Sequence, residues 1–441
     1  MISSIDNLIV GYQERKFSPT EITEWYLKRI KKLNPQLNAF ITITEDTARQ
    51  QAKLAEDKMS SDIVKELLGV PISFKDSIDT KGILTSNGSH LDAERYPKED
   101  AEIVKLLERE ETVLLGKTNM YEYGAGITSE NTNFGDIVNP LNPKKTAGGS
   151  SGGSAVAVAS NLCLGSVGTD ASGSIRVPAA CCGVVGIKPT YDLISTRGTT
   201  HLSWTLDHTG VIANSVKDTA IMLQAVTRNV YVQDNSFKLT GVKIGIPTHY
   251  FNEDSEIEVR KAYEKTIHQI RKLGAQIVEV DTSFLSDVVK VSRTIGTSEM
   301  GVVHMERIAE NPQLYSKELQ QTFERSKGIS AMDYIGALQK REEWKQKVSQ
   351  IFSIVDVMMT PVMPIIPPGV EMNEKAFGNE TLGDCMVRYT NVFNLTGHPA
   401  LSLPTDTIVH GIPISVQLVA GHHQEVNLFR VGRAYEQYIL A

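Results

Sequence analysis

The side chains of this sequence that are best suited to nucleophilic chemistry lie in a segment rich in glycine and serine. Residues 146–190 read TAGGSSGGSAVAVASNLCLGSVGTDASGSIRVPAACCGVVGIKPT, in which the charged residues are Asp170, Arg176 and Lys188. Such a composition is also typical of flexible linkers, but apolar runs such as AVAVA and CCGVVGI interrupt it and predict burial. Buried glycine and serine indicate a tight backbone or N–H groups aimed at a ligand.

Two overlapping G-x-S-x-G patterns, centred on Ser150 and Ser151, lie near the start of this segment. The pattern is typical of the nucleophile elbow of α/β-hydrolases, in which the serine lies between a core strand and a helix. The preceding residues, VNPLNPKKTA, are polar and contain two prolines, so they do not predict that strand. N-capping of the alanine-rich run that follows is another use of these serines.

Two further ligand-binding patterns fail on spacing. Gly116-Lys117-Thr118 resembles the end of a phosphate-binding loop, but Glu111 occupies the position of the required first glycine. The sequence contains no H-E-x-x-H motif, and its paired histidines and its His-Met-Glu run lack the spacing of metal ligands. We therefore expect no metal and no cofactor.

Three motifs, in this order along the chain, resemble the amidase signature family. They are residues 69–76 (GVPISFKD), 148–154 (GGSSGGS) and 168–178 (GTDASGSIRVP). The resemblance continues through residues 182–190 and 206–210, with a weaker similarity at 397–401 and 411–413. It therefore covers most of the chain, and residues 65–215 are its specific part.

This resemblance implies a serine nucleophile at Ser174, a bridging serine at Ser150 after a cis peptide bond from Gly149, and a base at Lys75. It also implies an oxyanion hole formed by the backbone N–H groups of Ala171, Ser172, Gly173 and Ser174. The family's usual form at this point is Asp-Thr-Gly-Gly-Ser, from which Ala171 and Ser172 depart. Because the donors are backbone groups and these side chains are small, we expect a working oxyanion hole.

A lysine acts as a base only when it is neutral, so the proposed role of Lys75 requires a lowered pKa. A fall of about 3 units from the free value near 10.4 corresponds to about 4 kcal/mol. The apolar run LLGVPISF before Lys75 predicts a strand that ends in a dry pocket. The alternative is a strand-end lysine paired with Asp76 or Asp79.

The two charged residues that flank the predicted nucleophile, Asp170 and Arg176, are interpreted as structural. Buried charges need partners, so we expect a hydrogen-bonded pair or separate anchors of the loop.

Hydrophobic periodicity predicts the elements that position these groups. Ser18-Pro19-Thr20-Glu21 is a capping box that begins a helix, which we expect Asn34-Pro35 to end. Further on, apolar runs predict strands at 67–74, 112–115, 162–167, 242–246, 277–280, 355–359 and 414–419. A polar helix is predicted at 44–58 and another helix at 101–110, and amphipathic stretches predict helices at 215–227, 255–273, 332–352 and 424–438. This alternation predicts an α/β fold with a large mixed, mostly parallel sheet covered on both faces by helices.

Composition excludes several classes of protein. The 441 residues include 45 basic and 52 acidic ones, a net charge of −7, which argues against nucleic-acid binding. No apolar run approaches the roughly 20 residues of a membrane span, and no signal-peptide pattern is visible. The apolar neighbours of Cys163, Cys181 and Cys182 predict buried thiols in a reducing compartment. We therefore expect a cytoplasmic protein.

The leading functional hypothesis is an amidase that hydrolyses a carboxylic amide to an acid plus ammonia or an amine through a serine ester. One alternative is the amidase-like subunit of a tRNA-dependent amidotransferase that makes ammonia from glutamine. Residues 128–140 resemble that subunit, whereas residues 191–197 (YDLISTR) depart from its Tyr-Gly-Arg-x-Ser-Arg-Tyr pattern. The other alternative is a catalytically silent binding protein on the same fold.

The remaining expectations concern organisation. We expect one domain over residues 1–441, with an N-terminal helical segment at 1–60 and a signature core at 65–215. Residues 361–384, rich in proline and glycine, predict a long surface loop, and with 120–128 and 199–205 they are the predicted pocket walls. The expected partner is a small-molecule amide, without nucleic acid or membrane, and we allow for a homodimer.

Overall fold

A single mixed sheet runs through the computed structural model, which describes residues 3–59, 65–231, 237–251, 253–371 and 380–441. Its strand order is β1-β3-β2-β4-β6-β5-β10-β11-β9-β7-β8. The strands are β1 Phe40–Ile43, β2 Pro71–Lys75, β3 Val113–Thr118, β4 Gly165–Asp170, β5 Val185–Lys188, β6 His208–Ala213, β7 Lys243–Pro247, β8 Gln276–Val280, β9 Val357–Pro361, β10 Ala400–Val409 and β11 Ile412–Ala420.

Helices connect and flank these strands. They are α1 Ile5–Gln13, α2 Pro19–Leu37, α3 Glu45–Lys58, α4 Glu102–Arg109, α5 Gly152–Ala159, α6 Arg176–Cys182, α7 Val216–Thr227, α8 Ile257–Lys272, α9 Val288–Glu310, α10 Lys317–Lys327, α11 Ala331–Ile351, α12 Leu382–Val387, α13 Asn391–Leu395 and α14 Glu425–Leu440. The predicted α/β fold with a large mixed sheet is therefore confirmed.

The central strands contribute to a different apolar core on each face of the sheet. Met359 and Leu401 belong to a core that includes residues of α7 and α14, whereas their chain neighbours Met358 and Ala400 belong to one that includes residues of α9 and α11. Successive side chains of a strand point to opposite faces. Helices therefore cover both faces, as the sequence predicts.

The prediction of a mostly parallel sheet is wrong. Among the described strands, six pairings are antiparallel and four are parallel. All the antiparallel pairings except β9–β11 involve β1, β5, β6 or β10, which the apolar alternation did not predict. At the β10–β11 connection His410 and Gly411 both have positive φ, and this tight turn reverses the chain.

Side-chain N-caps begin six of the described helices, α1, α2, α7, α10, α11 and α12, and the end of α2 differs from its prediction. Ser18 and Glu21 form the predicted capping box, with Pro19 at the first helical position. The helix, however, continues through Pro35 to Leu37 and ends at Asn38, which has φ 51°. Near the end of a helix, the missing proline N–H removes one hydrogen bond without stopping the chain from completing its last turn.

The prediction of a surface loop at 361–384 is wrong for part of that range. Val362, Met363 and Ile365 are buried in an apolar cluster, and α12 forms within the range. Residues 372–379 lie outside the described residues. Proline and glycine content indicates irregular backbone, but it does not report on burial.

Two further features concern the cysteines and the helices. The four cysteines are buried and free, as predicted for three of them. None of the described helices combines the length and the apolarity needed to cross a bilayer.

The packing of α11 provides a test of the apolar core that includes residues of α9 and α11. Trp344 is fully buried, and its indole N–H donates to the carbonyl of Phe284 at 3.1 Å. We expect Trp344→Ala to lower the free energy of unfolding by about 3–5 kcal/mol, because it removes apolar contacts and leaves a cavity. Denaturant unfolding would measure this loss. Met332→Ala in the same helix, at a residue 80% exposed, is the control and should change it by less than about 0.5 kcal/mol.

Candidate functional site

The base predicted from sequence lies where two parallel strands end side by side. β2 ends at Lys75 and its neighbour β4 ends at Asp170, so the carboxyl ends of both strands meet at one edge. Lys75 Nζ lies 2.8 Å from the hydroxyl of Thr169 and 2.7 Å from that of Ser150. Strand pairing thus brings the lysine beside Thr169, and the segment before α5 brings Ser150 to the same amine.

Ser150 follows a cis peptide bond from Gly149. The backbone is tightly enclosed here: a Cβ on Gly149 would lie 2.2 Å from the carbonyl oxygen of Thr128, so glycine is required. The next residue, Ser151, donates its N–H to the carbonyl of Ser174 at 3.1 Å. This bond joins the Ser150 segment to the segment of the predicted nucleophile.

The structure supports neither of the alternative roles of Ser150 and Ser151, which were a nucleophile elbow and an N-cap of the following helix. No strand forms between Thr118 and Gly152, whereas a nucleophile elbow requires a strand immediately before it. Ser151 precedes α5, but its side chain does not cap the helix. Instead its hydroxyl donates to the carbonyl of Thr169 at 3.1 Å.

Ser150 and Ser174 line one small cavity. Its empty volume is about 250 Å³, and it is lined by Ser77, Met120, Tyr123, Gly124, Ser150, Thr169, Ala171, Ser174, Thr200, Leu202 and Asp207. The predicted walls at 120–128 and 199–205 both contribute, whereas no described residue of 361–384 does. Ser174 is 4% exposed, so a nucleophile there would act in a largely enclosed space.

The loop before Ser174 is shaped by the carboxylate of Asp170. Its Oδ1 accepts the N–H of Gly173 at 2.7 Å and its Oδ2 accepts that of Ile175 at 3.1 Å. A Cβ on Gly173, whose φ is +140°, would lie 2.4 Å from the hydroxyl of Thr390. The loop conformation therefore depends on glycine at this position.

One of the four predicted oxyanion donors is occupied. Since the N–H of Gly173 donates to Asp170, it is not free to bind an oxyanion, and that part of the prediction is wrong. The N–H groups of Ala171, Ser172 and Ser174 have no acceptor among the described residues. The sequence motif did not reveal this because it does not say where the aspartate side chain folds.

Asp170 and Arg176 form the expected ion pair. The two side chains are fully buried and approach to 3.0 Å, and Asn394 donates a further bond to Asp170. Burial alone would raise the pKa of Asp170, but the charge and hydrogen bonds of Arg176, together with Asn394, hold it well below its usual range. Asp170 is therefore ionised at neutral pH and available to shape the loop.

Burial lowers the pKa of Lys75 to about 7, against the opposing charges of Asp207 and Asp170. The side chain is 1% exposed, and removal from water disfavours its charged form. The alternative pairing with neighbouring carboxylates is wrong: Asp76 lies 3.9 Å from Lys117, and Asp79 pairs with Arg95 at 2.8 Å. A substantial fraction of Lys75 is thus neutral near pH 7.

Sequence reasoning assigned no role to two polar residues of the site. Thr169 contacts the Lys75 amine, and its place directly before Asp170 in the 168–178 motif was the available signal. Asp207 is a charged residue that lines the cavity, and it lies within the 206–210 motif. Burial raises the pKa of Asp207, although its contact with His201 opposes this rise.

Comparisons with known proteins find relatives that match nearly the whole chain. The family model described as Amidase matches residues 21–429. A glutamyl-tRNA(Gln) amidotransferase subunit of Clostridium acetobutylicum is 31% identical, and the match covers 98% of this chain and 98% of the relative. A crystal structure of an amidase has a TM-score of 0.92 at 28% identity, covering 99% of this chain and 100% of the other. A protein from a vestigial complex that reveals the origins of an s-triazine catabolic enzyme has a TM-score of 0.91 at 28% identity, covering 98% of each chain.

The buried ion pair beneath the loop provides a test of this geometry. We expect Arg176→Met to lower the free energy of unfolding by about 3–5 kcal/mol at pH 7, because it leaves Asp170 as a buried unpaired charge. Denaturant unfolding would measure this loss. Arg197→Met, which removes an exposed pair with Glu102, is the control and should cost at most about 1 kcal/mol.

The stability difference between wild type and Arg176→Met should also depend on pH. Because the pKa of Asp170 is lowered in the folded protein, its stabilising contribution is present above the unfolded pKa of about 3.9 and is lost as the pH falls through the lower folded pKa. The difference between wild type and Arg176→Met should therefore shrink in acid. A difference that stays constant down to pH 2 would contradict this role of the pair.

Proposed function

This chain belongs to the amidase family and hydrolyses amide C–N bonds, and we propose that it does so through a serine ester on Ser174. The observation that carries this mechanism is the 2.7 Å contact between the Lys75 amine and the Ser150 hydroxyl. The amine is buried, its pKa is about 7, and the cavity beside it is lined by both Ser150 and Ser174.

In the acylation step, neutral Lys75 takes the proton of the Ser150 hydroxyl while Ser150 takes the proton of Ser174. The Ser174 oxygen attacks the amide carbonyl carbon, and the carbonyl electron pair moves to the oxygen. When the tetrahedral intermediate collapses, the C–N bond breaks and the proton returns through Ser150 to the leaving nitrogen. This step releases ammonia or an amine and leaves an ester on Ser174.

Backbone N–H groups of Ala171, Ser172 and Ser174 stabilise the oxyanion in this mechanism. Three donors remain because Asp170 engages the fourth, that of Gly173. A preorganised donor of this kind contributes about 3–4 kcal/mol to the transition state of acyl transfer. In this mechanism the carboxylate of Asp170 holds the loop so that the other three N–H groups face the substrate.

In the deacylation step, a water molecule takes the place of the leaving amine. Lys75 and Ser150 remove one proton from the water as its oxygen attacks the ester carbonyl, and the proton then returns to Ser174. The products are a carboxylic acid and the free serine hydroxyl. The same two groups thus serve as base and acid in both halves of the reaction.

The size of the cavity favours a small amide. Its empty volume, even counting space open to solvent, is about 250 Å³, and a ligand pocket encloses most of the surface of the ligand that it holds. A short carboxylic amide is therefore the substrate class that we propose.

A second candidate function is that of an amidotransferase subunit which supplies ammonia from glutamine. The observation in its favour is the match over 98% of the chain to a protein named as such a subunit. In that case the chain would assemble with a different subunit, which fits this relative better than the homodimer considered above. Glutaminase activity that appears only in a co-purified complex would support this candidate.

The nucleophile is tested by substitution. We expect Ser174→Ala to abolish covalent labelling by a fluorophosphonate and to reduce amide hydrolysis by several orders of magnitude, since loss of a serine nucleophile costs on the order of 10⁶ in kcat. Its thermal unfolding midpoint should stay close to that of wild type. Labelling that survives in Ser174→Ala and disappears in Ser151→Ala would contradict the assignment, and an unlabelled wild type would favour a silent binding protein.

The base is tested through its pH profile. For wild type, kcat/KM should rise with pH through a value near 7 and then level off, because neutral Lys75 is the active form. Lys75→Met keeps most of the side-chain volume and should lose about 10²–10⁴-fold in rate, whereas Lys53→Met, at an exposed lysine, should lose none. A Lys75→Met protein that hydrolyses amides at a near wild-type rate would rule out this mechanism.

Lys75 also makes stability depend on pH. Since its folded pKa is about 7 and its reference value is 10.5, the unfolded chain holds a proton that the folded chain lacks between these values. The free energy of unfolding therefore rises with pH across this window. Lys75→Met removes the effect, so its stability gain over wild type should be largest at or below pH 7 and should shrink towards pH 10.

A further inference from the structure

The cavity contains one carboxylate oxygen without a partner. Asp207 is 6% exposed, and its Oδ2 accepts the N–H groups of Leu202 at 2.9 Å and Ser203 at 3.2 Å. Its Oδ1 has no hydrogen-bond partner among the described residues. This atom is nevertheless not fully buried, since the fully buried side-chain oxygens without a partner do not include it. This oxygen therefore reaches open space, and the cavity is the open space that Asp207 lines.

The position of this oxygen is held by the loop that carries it. Ser203 and Thr205 donate their hydroxyls to the buried carboxylate of Glu299, at 2.6 and 2.8 Å, and Tyr334 donates to the same carboxylate. The loop from Thr200 to Asp207 is thus tied to α9 and α11. An oxygen on a loop held in this way is preorganised rather than free to turn towards water.

The charges around the cavity favour a positive ligand. Asp207 is the charged residue among its described lining residues, and the nearby Lys75 is neutral in the form that acts as a base. His201 is the one basic side chain within ion-pair distance of Asp207 in the described parts of the chain, and it contacts Oδ2 at 3.1 Å. Among the described residues no basic side chain lies within ion-pair distance of Oδ1 itself, so this oxygen is available to a cationic group of a ligand.

We propose that Asp207 Oδ1 binds an ammonium group of the substrate, so that the preferred substrates are small amides that carry a positive charge and no carboxylate. This inference rests on the proposed function, because it concerns the same cavity. A charge-assisted hydrogen bond from an ammonium to a carboxylate is among the stronger polar contacts. Glutamine fits less well, since none of the described lining residues is a cation that would bind its α-carboxylate.

The test compares substrates in which an ammonium group replaces a methyl group of the same size. The pairs are β-alaninamide with butanamide, 4-aminobutanamide with pentanamide, and N-(2-aminoethyl)acetamide with N-propylacetamide, with glutamine as the carboxylate-bearing member. At pH 8 we expect wild type to prefer the ammonium member of at least one pair by tenfold or more in kcat/KM. Glutamine should be hydrolysed more slowly than that member.

The carboxylate is then removed in Asp207→Asn. The kcat/KM of the ammonium member divided by that of the methyl member of the preferred pair should fall at least tenfold. Any effect of the substitution on Lys75 acts on both substrates and therefore cancels in this ratio. Asp192→Asn, at an exposed aspartate outside the cavity, is the matched control and should leave the ratio unchanged. Equal rates within every pair in wild type, or a preference that survives in Asp207→Asn, would overturn the proposal.

A measurement on wild type alone covers the case in which Asp207→Asn does not fold. Propylammonium should protect Ser174 from fluorophosphonate labelling at concentrations at least tenfold lower than 1-propanol does, and equal protection would overturn the subsite. Failure of the proposed function is recognised separately, as a wild-type protein that is neither labelled nor able to hydrolyse any amide. A labelled, active enzyme without cation preference contradicts the Asp207 subsite alone.

Discussion

The removal of the Lys75 amine from water is the interaction on which the proposed chemistry depends. Burial lowers the pKa of this lysine to about 7, and its two polar contacts, with Ser150 and Thr169, are hydroxyls rather than carboxylates. A carboxylate at the same distance would favour the ammonium form and remove the base. The neighbouring carboxylates have other partners: Asp76 lies near Lys117.

A second constraint acts on the loop that carries Ser174. The buried Asp170–Arg176 pair organises the loop that ends at Ser174, and segments from far along the chain complete it. Asn394 donates to Asp170 across 224 residues, and Thr390 donates to the Ser172 carbonyl across 218. The charge of Asp170 therefore has a structural use, because it binds the N–H groups of Gly173 and Ile175 in this loop.

The sequence alone determined much of this protein. Capping residues and apolar periodicity predicted seven of the fourteen described helices and seven of the strands, because these signals are local. The residues that meet at the cavity were implied by the family resemblance. The resemblance carried by GVPISFKD, GGSSGGS and GTDASGSIRVP led to the family that the comparisons support. The catalytic roles of Lys75, Ser150 and Ser174 stay predictions, although the structure brings the lysine into contact with Ser150 and both serines to one cavity.

Only the tertiary structure decided the direction of the strands, which N–H groups of the Ser174 loop are already bound, and the charge of the cavity. The direction of β5, β6 and β10 follows from which strands they pair with, and no local pattern encodes that choice. Likewise, the carboxylate of Asp170 that accepts the N–H of Gly173 is itself bound by Asn394, which is 224 residues away, and the loop of Asp207 is fixed by Glu299, which is 96 residues from Ser203. Contacts of this kind join segments that are distant in the chain, so their physical basis exists only once the chain has folded.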